Sequence, residues 1–427
     1  MTGDMVTPKI VLLGTCDSKL EEVLYLRERI VERKSCSVLL VDVGRNPCQH
    51  NLIDVGSTEL LDRVARPSPE GADTSLPLPR AGYIKHMTLC ASLYVSELFK
   101  SGAIHGIISM GGSNGTSIAA AVMRNALPVG FPKLIVSTMA SGNIRPFIEE
   151  TDIAMMYSVV DIAGINSILS QILSNAAGAI IGMIPSYMTH LSKPVRTGET
   201  KRIGITMFGV TTPCVDTIRL HLESKHKYEV FVFHATGSGG KAMERLVRER
   251  KIDAVLDVTT TEVADELVGG VLSAGPDRLA TAAKAGIPQV ISVGACDMVN
   301  FGTLDTVPAK FNDRQLHEHN PTVTLMRTTP KECSRIGEFI SKQLRVHVAK
   351  PDLVEVILPS GGVSTLSVTG GAFENHEADT SLFDAVESGL APTGIKVVRS
   401  ARDINDPEFA ILLAESLVAL IQRQNSL

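Results

Sequence analysis

The sequence predicts an α/β protein built from two consecutive Rossmann-like, doubly wound domains with mainly parallel sheets. Three observations lead there. Short apolar, β-branched runs alternate with longer amphipathic segments along most of the chain, which is the pattern of βαβ units. The apolar runs end in glycines and small polar residues, as at Leu13-Gly14-Thr15 and Phe208-Gly209-Val210-Thr211. The chain has 427 residues, 44% of them hydrophobic and 20% charged. That length exceeds what one core usually serves, so two domains follow.

Taken in order, Lys9–Leu13 reads as the first strand and about Leu20 to Glu32 as the helix after it. Ser37–Val43, Ile104–Met110 and Lys133–Val136 read as further strands, with helices from about Tyr83 to Lys100 and Ser117 to Asn125. Between the second strand and the Tyr83 helix lies a turn-rich insertion holding Pro47, Pro67, Pro69, Pro77 and Pro79, long enough to suggest a lid. An apolar segment runs from Asp161 to Met183, and Pro185 through Thr200 is a polar stretch with Pro194 and Gly198. The expected division is therefore a first domain over 1–190, a linker over 191–200 and a second domain over 201–427. The strand series restarts at Arg202–Met207 and continues with Glu229–Phe233, Ala254–Asp257, Pro288–Val293 and Val354–Leu358. Both halves open with a strand that enters a glycine turn, which hints at duplication.

Composition removes several classes of function. The net charge is −5, and no run of lysines or arginines is interleaved with aromatics, so nucleic acid is not the expected ligand. The seven cysteines are scattered with no CxxC pair, which fits a reducing compartment rather than a disulfide framework or a zinc site. Met1 to Lys9 lacks a secretory pattern, and the apolar segment Ile165–Ile184 is broken by Asn166, Ser167, Gln171, Ser174 and Asn175. A cytoplasmic protein with no membrane segment is expected.

In open parallel sheets, ligands bind beyond the carboxyl ends of the strands. In the first domain these ends are Gly14 to Lys19, Asp42 to Arg45, Gly111 to Thr116, and Ser137 to Asn143. Gly111-Gly112-Ser113-Asn114-Gly115-Thr116 is the sharpest, because it follows a fully apolar strand and opens a helix of small residues. Glycines let the backbone approach an anion, free amides at a helix start donate to it, and the macrodipole adds a favourable potential. A phosphate suits that geometry. Ser113 and Thr116 offer hydroxyls to its oxygens or to a hydrated magnesium ion, Lys19 offers a cation, and Asp17 offers a carboxylate for magnesium. Asp42 stands where it could hold a ribose hydroxyl or cap a helix. Thr15, Gly14 and the Ser137, Thr138, Met139, Ser141 and Gly142 segment complete the expected cradle.

The pattern is not a Walker loop, since the Gly240-Lys241 pair has Ala235 at the first glycine position and Ala242 where Ser or Thr belongs. It is not the dinucleotide fingerprint either, because Met110 takes the first glycine position when Gly112 and Gly115 are aligned. A mononucleotide site of its own design is what remains. Any one of these loops alone reads equally well as a tight strand-to-helix turn; four of them on one sheet edge favour a ligand.

The second domain repeats the theme at Thr236 to Lys241, Asp257 to Glu262, Gly269-Gly270 and Gly294 to Asp297. Its catalytic candidates are Glu244, Asp257, Glu262, Asp297 and Arg327, which would equip a cleft for acid/base work on a carboxylated or phosphorylated metabolite. No spacing among them is diagnostic. His317 and His319 read as a solvated pair, Cys296 as small core filler or a nucleophile, and Asp257 with Glu262 as a helix cap or as reacting groups.

These loops together resemble the family named after the amino-terminal ATP-binding domain of the tomato mosaic virus resistance protein. The resemblance rests on Gly14 to Lys19, Ser109 to Thr116, Ser137 to Gly142, Val160 to Asn166 and Thr206 to Pro213. It continues through Gly240 to Glu244, Asp257 to Glu262, Asp297 to Gly302 and Met326 to Thr329, so it covers nearly the whole chain. It implies two Rossmann-like subdomains, ATP with magnesium on the amino-terminal one, and a homodimer. In plant members a TIM-barrel-like domain follows, so a separate protein of that kind is an expected partner. The function expected is ATP binding that regulates or acts with a partner enzyme. The alternative is an enzyme acting on a small metabolite at the interdomain cleft.

Overall fold

The computed structural model describes residues 7–64, 78–192 and 200–426. It divides into two compact units, Met1–Val195 and Arg196–Leu427.

The first unit is one parallel sheet with helices on both faces. Its strands are β1 (Lys9–Gly14), β2 (Ser37–Asp42), β3 (Gly106–Gly111), β4 (Lys133–Ser137) and β5 (Ala154–Tyr157), in the order β2-β1-β3-β4-β5. Two-sided burial explains why the central strands read as unbroken apolar runs. On β1, Ile10 and Leu12 face one core with the helices Cys16–Val31 and Ser167–Ser192, packing on Val23, Leu26, Leu169 and Leu173. Val11 and Leu13 face the other, with the helices Arg80–Lys100 and Ser113–Ala126, through Met87, Val95, Ile118 and Val122.

Several expected boundaries move. The first helix starts at Cys16 rather than Leu20, with a local break at Lys19 (φ −137°, ψ 29°). The helix after β3 starts at Ser113 rather than Ser117, so most of the expected loop is the helix's first turn. The helix Ser167–Ser192 runs through Pro185 into the stretch read as polar connection. A proline inside a helix costs about 3 kcal/mol; Ile184 buried before it and Tyr187 packed edge-on to Phe131 at 5.3 Å after it offset that cost. By length and composition Ser167–Leu191 could cross a membrane, yet its Leu169, Leu173, Ala176, Ala177, Ile180 and Ile184 stripe lies in the core. The turn-rich insertion holds a short helix, Ser57–Leu61; residues 65–77 of the expected lid lie outside the described residues.

The second unit starts with β6 (Arg202–Met207), β7 (Glu229–His234), β8 (Ala254–Thr259) and β9 (Gln289–Gly294). An antiparallel sheet of β10 (Met298–Phe301), β11 (Leu316–Asn320) and β12 (Val323–Arg327) then interrupts the series, and β13 (Val354–Pro359) and β14 (Lys396–Ser400) complete it. The main sheet is parallel, in the order β14-β13-β9-β8-β6-β7. Counted from its own first strand, each unit follows the order 2-1-3-4-5, and the second adds one strand at the far edge. The repeated topology matches the repeated glycine turns.

Candidate functional site

An order of 2-1-3-4-5 reverses between its first and third strands, and the loops leaving those two strands diverge to opposite faces of the sheet. In the first unit the reversal lies between β1 and β3. Two helices start there, Cys16–Val31 after β1 and Ser113–Ala126 after β3, and a cleft of about 410 Å³ opens at their starts. Thr15, Asp17 and Lys19 wall one side, Gly112, Ser113, Asn114 and Gly115 another. Arg45, Arg80 and Tyr83 complete it.

Among the described residues, no acceptor faces the main-chain amides of Ser113, Asn114 and Gly115; the first bonded amide of that helix is Thr116, to the Gly112 carbonyl at 3.0 Å. These are the donors that every helix start leaves over. The glycines serve different ends. A Cβ on Gly111 would stand 3.2 Å from Gly115 Cα, so Gly111 lets the helix lie close on its strand. A Cβ on Gly112 would meet nothing nearer than Thr138 Oγ1 at 3.8 Å, and its φ of −79° suits any residue. Packing does not demand glycine at 112; bareness there keeps the approach to the amides open.

The cleft is electropositive. The Lys19 ammonium makes no hydrogen bond or ion pair among the described residues. Arg45 Nη2 donates to the Leu78 carbonyl at 2.9 Å, and Arg80 Nε donates to the Asn114 side-chain oxygen at 2.9 Å. The one carboxylate in the wall among the described residues, Asp17, accepts from the Asn46 amide at 3.1 Å and remains exposed. Val43, Ile84 and Ile118 add an apolar patch.

Some expected residues do not face the cleft. Asp42 is buried, and its Oδ1 accepts from the amides of Cys16 at 3.0 Å and Gly44 at 2.8 Å. It caps the first helix and ties the loop after β1 to the loop after β2, so it is not placed to hold a ribose. Burial pushes its carboxyl above the usual range, while the two amides oppose the shift. Thr116 and Ser137 are also buried and share a 2.7 Å hydrogen bond, and the Thr116 hydroxyl reaches the Gly111 carbonyl rather than the cleft. Gly14 is packed under Val23. Thr138 adjoins Gly112, whereas Met139, Ser141 and Gly142 form an exposed turn outside the cleft walls. Arg80 and Tyr83 escaped the sequence reading because a long insertion separates them from the loops they join; the helix start after Pro79 was their only local signal.

In the second unit, the glycine loop after β7, its second strand, is filled from within. Glu262 Oε1 accepts from the amides of Gly237 at 2.7 Å and Gly240 at 3.0 Å, so a carboxylate of the protein takes the place an anionic ligand would take. Its Oε2 meets Arg278 Nε at 2.8 Å; Arg278 also reaches Asp257 at 2.5 Å and Glu244 at 3.4 Å. All four side chains are buried. Burial raises the Glu262 pKa against the opposing pull of Arg278, and the carboxylates keep the guanidinium charged. Glu244 further accepts from the amides of Leu279 and Thr281. Three catalytic candidates are thus members of one structural ion cluster, the arrangement buried charges require.

Arg327 is likewise held, by Asp379 at 2.6 Å and the Phe373 carbonyl at 2.9 Å. Asp297 differs. Ser364 Oγ donates to its Oδ2 at 2.7 Å, its Oδ1 has no partner among the described residues, and burial pushes its pKa up to about 6 against the pull of Arg327. Cys296 is wholly buried with its thiol pushed up by burial, the small-filler alternative. His317 and His319 sit two apart on β11, His317 edge-on to Phe373 at 5.9 Å.

Fold and site together define a two-unit, doubly wound α/β protein with an anion-receptive cleft at the switch point of its first sheet. The chain belongs to the uncharacterised protein family UPF0261: the amino-terminal domain of that family matches residues 8–189 and the carboxyl-terminal domain residues 200–421. A UPF0261 protein of Clostridium tetani is 44% identical over 424 residues, covering 97% of this chain and 99% of that protein. The ToMV resistance protein Tm-1(GCR237) of Solanum lycopersicum is 38% identical over 435 residues, covering 98% of this chain but 56% of the tomato protein. Among solved structures, Acinetobacter baumannii MurG overlays with a TM-score of 0.23 at 11% identity, over 67% of this chain and 79% of that one, a likeness too slight to bear on function.

Proposed function

We propose that the first unit binds a nucleoside triphosphate, ATP with magnesium, with its phosphates at the β1/β3 switch point. The observation that carries this reading is the helix start at Ser113 to Gly115, whose three main-chain amides lack acceptors among the described residues and line the same cleft as Lys19, Arg45 and Arg80. A polyanion needs donors and cations together, and fixed amides provide them without rearrangement. Lys19, on a flexible stem, reaches the outer phosphates. The exposed Asp17 carboxylate and the Ser113 hydroxyl flank the position of a hydrated magnesium ion. Val43, Ile84 and Ile118 offer the base an apolar wall.

Asp17, already bonded to Asn46, is the only carboxylate in the wall among the described residues, and none of these stands beside it as a base for hydrolysis. The reading is therefore a nucleotide-binding protein, cytoplasmic and homodimeric, that regulates or acts with a partner enzyme. A separate TIM-barrel-like protein is the first partner to try.

The test is calorimetric titration of the full-length protein with Mg-ATP, alongside Gly112→Val. Saturable binding is expected for the parent. A Cβ at position 112 has room in the free protein, its nearest atom standing 3.8 Å away, and the circular dichroism of the variant should match the parent's. The variant should lose at least tenfold in affinity, about 1.4 kcal/mol. Failure of ATP, ADP and GTP to bind at millimolar concentration would end the proposal.

A further inference from the structure

Away from that cleft, in the second unit, three donors of metal-binding type converge. The helix Thr212–Lys225 carries His221 near its end and is capped by His226, after which Lys227 (φ 59°) turns the chain away. Glu415 stands on the C-terminal helix Pro407–Ser426, which shares one core with the first helix through Cys214, Ile218, Leu413 and Leu417. The Nε2 atoms of His221 and His226 both address a single oxygen, Glu415 Oε1, the second at 3.5 Å. All three donor atoms lie within 4.8 Å of one another.

An ordinary ion pair joins one imidazole to one carboxylate. In this cluster two imidazoles, before and after a helix end, aim at the same point. His221 is buried and Glu415 exposed, which gives the cluster an apolar back and an open side. Two imidazoles and one carboxylate are a recurrent three-ligand set for zinc, with water in fourth place. Ligands held ~2.0–2.2 Å from a tetrahedral ion stand roughly 3.3–3.6 Å apart. His226 and Glu415 already have that spacing, and a rotation of the exposed Glu415 opens the closer approach to His221.

We propose that His221, His226 and Glu415 form a site for a divalent transition metal of the zinc class, completed by water, which staples the end of the helix Thr212–Lys225 to the C-terminal helix. Imidazole donors favour such an ion over magnesium or calcium. The site belongs to the second unit and is independent of any nucleotide in the first.

The full-length protein, stripped with a chelator, would be titrated with zinc by calorimetry and with cobalt by visible absorption. One saturable equivalent is expected, with the absorption bands of four-coordinate cobalt. At ~100 times Kd, zinc should raise the Tm by about 5–10 °C. His226→Gln and Glu415→Gln change solvent-accessible side chains, should keep the parent's circular dichroism, and should each weaken uptake at least tenfold. No saturable uptake at tens of micromolar zinc, or uptake unchanged in both variants, overturns the assignment.

Discussion

Two aspartates in neighbouring loops, Asp17 and Asp42, read alike in the sequence and end in opposite roles. Asp42 closes the buried half of the edge strand β2, and its carboxylate serves the protein's own amides at Cys16 and Gly44. Asp17, three residues beyond β1 on a helix's first turn, faces solvent at the cleft. Local sequence marks which residues are small or charged; it does not mark which side of a turn they take. Asp297 makes the same point with a measurable consequence. Its unfolded pKa is about 3.9, and burial lifts the folded value to about 6. Between those values the folded state holds the extra proton, so this residue favours folding at low pH, and its contribution is lost as pH rises through about 6. Asp297→Asn keeps an acceptor for Ser364 and cannot ionise. In urea titrations the variant should therefore gain stability relative to the parent between about pH 4.5 and about pH 7.5. An equal difference at both pH values would show that the buried carboxyl does not carry that penalty.

At the scale of elements, the strands most legible in the sequence were apolar, β-branched runs, most of them buried on both faces, although Glu229–Phe233 was legible too at its half-exposed sheet edge. The missed strands are of two kinds: Met298–Phe301 and Val323–Arg327 are buried but short and belong to the small antiparallel sheet, and the others carry exposed positions. Leu316–Asn320 carries His317, Glu318 and His319, and Ala154–Tyr157 and Lys396–Ser400 are sheet edges with exposed positions. Ala154–Tyr157 and Lys396–Ser400 pair with strands some way off in sequence, whereas Leu316–Asn320 pairs in a hairpin with Val323–Arg327. The glycine loops of the two units show how far motif reading goes. Both were legible as strand-to-helix turns with open amides, but only the folded chain shows that Glu262 fills the second from within. Gly240 lies in the first turn of the helix Ser238–Arg248, where alanine would ordinarily gain up to about 1 kcal/mol in propensity. In this helix the added Cβ would stand 2.7 Å from Arg278 Nε and collide with the Glu262 carboxylate. Overpacking a buried ion cluster costs about 1–3 kcal/mol or more, so Gly240→Ala should lower stability in denaturant melts. A variant as stable as the parent would mean that the cluster is looser than its distances state.

For the whole molecule, the decisive fact is that one topology is used twice, with the cleft at the switch point left open in the first unit and, in the second, the glycine loop after the second strand closed by an internal carboxylate. Duplication was visible in the sequence as two strand-to-glycine turns, at Gly14 and Gly209, but the filling of the separate glycine loop after β7 was not, since it depends on Glu262 and Arg278 meeting Gly237 and Gly240 in space. The asymmetry predicts where ligands act. With Mg-ATP, amide hydrogen exchange should slow at the loops from Gly14 to Lys19, Val43 to Asn46 and Gly111 to Thr116 and at the start of the helix Arg80–Lys100. A ligand that binds only the folded form at ~100 times Kd adds about 2.7 kcal/mol against opening. Exchange in the second unit around Gly237 to Gly240 should not respond, because its amides already donate to Glu262. Zinc should give the complementary map, slowing the end of the helix Thr212–Lys225 and the C-terminal helix around Glu415. Protection by Mg-ATP centred on the second unit would reverse the assignment of the two units and remove the nucleotide from the β1/β3 cleft.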